Sequence, residues 1–146
     1  MMKIPKKAAV KFILAEDVQP EANGKYSLLG VFPGERFMVG GEAPAGVENL
    51  AFAMPSLVFV FMITDGEGKI HSKFTIFGPD KKALNNVAGV EQVIEIAKGR
   101  PAMFASVARP FAGAKFGTYV VQLEMGKSRF RFPFLIEKAP KQKKAP

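Results

Sequence analysis

The sequence predicts an all-β protein: an antiparallel two-sheet sandwich of eight or nine strands with at most one short helix. Three observations carry that expectation. Short apolar runs with period-two alternation recur along most of the 146 residues. Turn-forming groups punctuate them, among them Asn23-Gly24, Pro33-Gly34, Asp65-Gly66, Gly99-Arg100-Pro101 and Gly126-Lys127. Hydrophobic residues make up 48% of the chain and 14 of them are Phe, enough to fill an aromatic interior between two sheets.

The strands follow in order. Val10, Phe12 and Leu14 alternate with Lys11, Ile13 and Ala15, which gives one strongly apolar face. A polar corner spans Glu16 to Lys25, and a second strand covers Tyr26–Phe32. Gly30 inside that strand signals a bulge or a close backbone approach. Arg36–Val39 reads as a short edge strand, and residues 40–49 as a loop. Leu57–Ile63 is apolar at both parities, so both of its faces must be covered. Phe59, Phe61 and Ile63 point to the core, with Val58, Val60 and Met62 on the far side. Asp65-Gly66-Glu67-Gly68 is expected to close a hairpin onto a strand with Ile70, Phe74 and Ile76 inside and His71, Lys73 and Thr75 outside.

Residues 78–89 read as a loop with room for one helical turn. Residues 90–98 fit two patterns: Val90, Val93, Ile94 and Ala97 keep a helical period, while Gln92–Ile96 alternates as a strand, which the following turn favours. Ala102–Ala108 is another extended run. The terminal hairpin is the clearest. Tyr119, Val121 and Leu123 share one face, and Phe130, Phe132, Phe134 and Ile136 alternate with Arg129, Arg131, Pro133 and Glu137. Pro133 has no ladder donor, so this strand belongs at an edge or carries a bulge.

Charge divides the chain into three parts: a basic N-terminal tail (1–8), one sandwich domain (9–137) and a basic Lys/Pro-rich C-terminal tail (138–146). Residues 1–11 hold four lysines and no acid, and residues 138–146 hold four more. All 13 acidic residues lie between, with an equal number of basic ones, so the net charge of +8 sits at the ends. Lys3, Lys6, Lys7, Lys138, Lys141, Lys143 and Lys144 are therefore candidate polyanion contacts. Nucleic acid is not favoured as the partner, because these segments lack Arg and aromatic residues. The chain has no Cys, which excludes disulfides and thiolate chemistry and suits a cytoplasmic location. Lys11 interrupts the only N-terminal apolar run, so no signal peptide is expected, and no run reaches the ~20 residues of a membrane span.

Candidate chemistry is sparse. His71 is the single histidine, and it falls on the polar parity of its strand. If the first strand extends as far as Glu16 and Asp17, their side chains point to opposite faces and cannot act as a pair; Asp17 and Glu21 suit backbone hydrogen bonds in the corner. Asp65 and Glu67 place two carboxylates in an exposed loop, where a calcium site needs six or more oxygen ligands; the EF-hand pattern is absent, and only the fold can bring Asp80 to them. Arg129 and Arg131 lie on an outer face, with the intervening Phe side chains on the other. No catalytic residue, metal ligand or cofactor site is expected. Val58, Val60 and Met62 on the far side of the two-faced strand are covered either by the chain's own loops or by another molecule, which makes them a candidate protein interface, including for self-association; the protein partner is unspecified. The function expected is thus a non-enzymatic interaction or assembly module. Polyanion binding through the lysines, and a small-ligand site or enzyme in a loop cleft, are the alternatives.

Two stretches resemble a known family. Asp17-Val18 through Glu21-Ala22-Asn23-Gly24-Lys25, followed by Leu28-Leu29-Gly30-Val31-Phe32, is similar to the N-terminal signature of a family of small bacterial proteins of unknown function. Gly117-Thr118-Tyr119 is similar to that family's C-terminal pattern. The resemblance implies a bacterial source, an immunoglobulin-like or fibronectin-like sandwich over residues 10–137, and no site residues. In such domains a Tyr at this position often anchors the corner through its hydroxyl; a plain core role for Tyr119 is the other option.

Overall fold

A computed structural model describes residues 2–34, 36–39, 51–84 and 90–138. Among them the chain forms eleven strands: β1 (Val10–Pro20), β2 (Tyr26–Val31), β3 (Arg36–Val39), β4 (Phe52–Met54), β5 (Leu57–Ile63), β6 (Gly68–Phe77), β7 (Val90–Ile96), β8 (Ala102–Ala108), β9 (Phe111–Gly113), β10 (Gly117–Met125) and β11 (Ser128–Lys138). Two three-residue 3₁₀ turns, Lys7–Ala9 and Ala22–Gly24, flank β1. No helix among the described residues is long and apolar enough to cross a membrane.

The strands build an all-β sandwich. A four-stranded sheet in the order β2-β1-β5-β8 faces a five-stranded sheet in the order β3-β11-β10-β6-β7, and β4 and β9 form a separate small ribbon. Every pairing is antiparallel except β3 with β11, which is parallel. The facing sets β1-β5-β8 and β11-β10-β6 follow the order in which immunoglobulin-like sandwiches place strands A-B-E and G-F-C. The strand count exceeds the expected eight or nine largely through β4 and β9. At three residues each, they are too short to show an alternation.

Phenylalanine rings from both sheets meet in the core. Phe59 and Phe61 of β5 lie 5.6 and 6.0 Å, centroid to centroid, from Phe74 of β6, and Phe59 lies 5.8 Å from Phe134 of β11. These separations suit edge-on and tilted aromatic contacts. The alternation read from β10 and β11 is observed: Tyr119, Val121, Leu123, Phe130, Phe134 and Ile136 are buried. Residues 90–96 are a strand, paired to β6 with Ile94 opposite Ile70. The loop expected at 40–49 and the end of the 78–89 loop lie outside the described residues, as do Lys141, Lys143 and Lys144 of the C-terminal segment.

Three local expectations are corrected. Asp65–Gly68 is not a hairpin, because β5 and β6 belong to different sheets; the segment arches from one layer to the other. The corner after β1 is shorter than the polar composition suggests, because β1 stays paired with β2 as far as Pro20. Gly30, at φ 64°, faces Glu16 within that ladder and marks the anticipated irregularity. The N-terminal residues are docked rather than a loose tail. Lys3 and Glu67 exchange two backbone hydrogen bonds of 2.8 and 2.9 Å, Pro5 is buried, and Ile4 packs against the core.

Pro133 sits opposite Val120, and among the described residues β3 pairs with β11 over Leu135–Lys138 and no strand pairs beside Pro133 on that side, which suits its missing donor.

Candidate functional site: the outer face of the five-stranded sheet

Alternation places the polar residues of β6, β10 and β11 on one outer surface. Cross-strand register then sets them in rows. Arg129, Glu124, Lys73 and Glu91 form one row across β11, β10, β6 and β7, with alternating charge. Arg129 Nε lies 3.3 Å from Glu124 Oε1. Such a row is largely self-compensating. The neighbouring row is Arg131, Gln122 and Thr75, which contains a cation and no acid.

Arg129, Glu124 and Lys73 of the first row and all three residues of the second, with Phe77 and Ala83, line an open trough of about 670 Å³. Its floor is unusually closed for polar residues: Thr75 and Gln122 are each only 7% exposed. Gln122 Nε2 donates to Glu124 Oε1 at 3.1 Å, which leaves the Gln122 carbonyl oxygen as an acceptor. The Arg131 guanidinium lies 5.6 Å over the centre of the Phe77 ring, a geometry in which the ring face attracts the cation. Among the described residues Arg131 has no carboxylate within ion-pair distance, unlike Arg36, Arg109 and Arg129.

A second trough of about 330 Å³ adjoins the first and shares Lys73 and Glu124 with it. It adds His71, Glu91, Gln92 and Val93. His71 is thus on the outer face, as its parity indicates. Its backbone carbonyl accepts from the Gly126 N–H at 3.0 Å.

Along β11 the expected alternation holds: Phe130 is buried and Phe132 packs against the core, on the face opposite Arg129 and Arg131. The ring beside Arg131 comes from β6, two strands away. Phe77 has outer parity in β6, which was the available signal, but the register that brings it to Arg131 is long-range.

The other candidates are dispersed. Val58 and Val60 are 0% exposed, so the chain closes over them and as it stands they offer no surface to a partner; Met62 is half-buried. Met62 lines an apolar cleft of about 710 Å³ with Met103 of β8 and with Lys25, Tyr26 and Leu28, which brings the β1–β2 hairpin toward that end of the sheet. Lys6, Lys7 and Lys138 are exposed, whereas Lys3 is engaged by Asp65 at 3.1 Å. The Asp65 carboxyl is held below its ordinary value, first by the Gly66 backbone N–H and then by Lys3. Asp65, Glu67 and Asp80 do not come together as a cluster, and among the described residues no group of three or more acidic or histidine side chains could hold a metal ion. Asp17 accepts the backbone N–H of Val18 at 2.8 Å, as expected, and also binds Arg109 at 2.8 Å. Glu21 accepts from the Ser27 hydroxyl rather than from backbone.

No family model matches the chain, and no curated protein sequence matches it.

Proposed function

We propose that this chain is a non-enzymatic interaction module that docks an acidic segment of a protein partner on the outer face of its five-stranded sheet. The observation that carries the reading is Arg131: a guanidinium over the Phe77 ring that, among the described residues, has no carboxylate of its own, beside the Thr75 hydroxyl. A guanidinium pre-oriented by a ring presents a planar fork suited to a carboxylate. Phe77 and Arg131 sit on strands joined through β10, so the donor geometry is set before the partner arrives.

The test is titration of an oligo-glutamate peptide followed by calorimetry. Binding should weaken as salt rises, and Arg131→Ala should weaken it roughly tenfold or more, the loss of a charged hydrogen bond. Affinity equal for the parent and Arg131→Ala would overturn the reading.

A second reading, polyanion binding through the lysines, has its support in the exposed Lys6, Lys7 and Lys138. It is favoured instead if a single-stranded oligonucleotide binds more tightly than the peptide and binding survives Arg131→Ala but not Lys6→Ala, Lys7→Ala and Lys138→Ala combined with removal of residues 139–146.

A further inference from the structure

We infer that two copies of this chain pair antiparallel along β8, joining their four-stranded sheets into one eight-stranded sheet. The inference starts from the free edges of the sandwich. Among the described residues, four strands end the two main sheets: β2, β8, β3 and β7. An edge strand presents unpaired N–H and C=O groups that template another strand, and soluble proteins usually blunt it with charge, proline, a bulge or brevity.

Three of the four edges carry such a device. β2 contains Gly30 at φ 64°, which breaks the regular ladder. β3 is four residues long and begins with Arg36. β7 carries Glu91 and Glu95, which would stand opposite each other if β7 paired with a second β7 about Val93. β8 has none of these. Its sequence, Ala-Met-Phe-Ala-Ser-Val-Ala, holds no charge, no proline and no glycine, and it pairs with β5 in unbroken register over all seven residues. Among the described residues, no backbone hydrogen bond ties Ala102–Ala108 to any segment but β5.

The occupant that fits this edge is a second β8. Antiparallel pairing about Ala105 sets Met103 against Val107 of the other copy and Phe104 against Ser106. Apolar residues then meet apolar ones on the outer side, and like charges do not meet anywhere along the strand. Val107 is 43% exposed in the single chain and would be covered by Met103 of the other copy. The first charge beyond β8, Arg109, is drawn away from the edge: it bonds Asp17 at 2.8 Å and Ser56 at 3.2 Å, both on the β1–β5 side. The pairing is isologous, so it closes at two copies. It leaves the trough on the opposite sheet open and does not depend on what the trough binds.

The experiment combines light scattering after gel filtration with cysteine cross-linking. The parent should elute with twice the 15.9 kDa chain mass. Val107→Lys, on an exposed outer position, should return it to monomer with an unchanged β-type circular dichroism spectrum. Because the chain has no cysteine, Ala105→Cys should form a disulfide-linked dimer on mild oxidation, since Ala105 meets its own copy at the centre of the pairing. Val93→Cys, on the β7 edge, should not. A monomeric parent at the highest concentration reached, or a dimer that Val107→Lys leaves intact, overturns the inference. So does cross-linking at position 93 as fast as at 105.

Discussion

The Tyr119 hydroxyl donates a 2.6 Å hydrogen bond to the backbone carbonyl of Lys115, four residues earlier. Tyr119 opens β10, and its ring stacks 5.6 Å from Phe134 and meets Phe52 and Phe111 edge-on. One side chain thus does two jobs: the ring joins the core and the hydroxyl ties the β9–β10 connection to it. The two options open at the level of sequence, a corner anchor and a plain core residue, are both realised.

The two roles separate by mutation. Tyr119→Phe keeps the ring and leaves the Lys115 carbonyl without its partner, so it should cost about 1–2 kcal/mol. Tyr119→Ala also removes the ring, and should cost about 3–5 kcal/mol, the range for large aromatic truncations in a core. Urea unfolding followed by fluorescence or circular dichroism measures both. Equal losses for the two variants would mean that the ring contributes nothing beyond the hydroxyl.

The same burial sets a pH dependence. Tyr119 is 1% exposed, and burial pushes its phenol up from 10.0 to about 12. The folded state therefore favours the neutral phenol. The associated stability is complete below pH 10 and is lost as pH rises through about 12. In a Tyr26→Phe background Tyr119 is the only phenol, and its ionisation can be followed by ultraviolet difference absorbance. The transition should fall near pH 12 or coincide with unfolding. Titration near 10 with the fold intact would contradict the burial.

Gly113 is fixed by the same cluster. A Cβ built there would collide with the Tyr119 hydroxyl and would lie 2.7 Å from Phe52 Cζ. Gly113→Ala should therefore destabilise by about 1–3 kcal/mol as an overpacked site. Pairing it with Phe52→Leu, which removes the obstructing ring end, should recover part of that loss. Failure to recover any would leave the Tyr119 hydroxyl, the nearer obstruction, as the source of the loss.

How much of this was legible depends on the range of the interaction. The strand faces of β1, β6, β10 and β11 were readable because a period of two is local. Gly30, Pro133 and the Gly126 turn were readable because backbone chemistry is local too. The identity of neighbours was not. Asp65–Gly68 looks like a hairpin loop by composition, and only the sheet assignment shows that it crosses between layers. Phe77 and Arg131 are 54 residues apart in sequence, so their stacking follows from the β6-β10-β11 order rather than from any motif. Val58 and Val60 were correctly placed on the far side of β5, but their complete burial depends on what the rest of the chain lays over them.

The N-terminal segment gives the last prediction, because its lysines read as a solvated tail while its backbone does not. Lys3 and Glu67 bond each other twice, Pro5 is buried, and Ile4 reaches the turn at Gly126. The Lys3–Asp65 ion pair is exposed and secondary. Removing residues 2–5 should thus destabilise by about 1–3 kcal/mol through lost apolar burial, whereas Asp65→Asn should leave the strap in place near neutral pH. The depressed Asp65 carboxyl adds a sign. Its contribution is present above the ordinary value of 3.8 and disappears as pH falls below it, through the lowered folded value. Hydrogen exchange at the Lys3 and Glu67 amides should therefore become relatively faster in acid in the parent, and this acid-dependent component should vanish in Asp65→Asn. Unprotected amides at neutral pH would show that the segment does not dock.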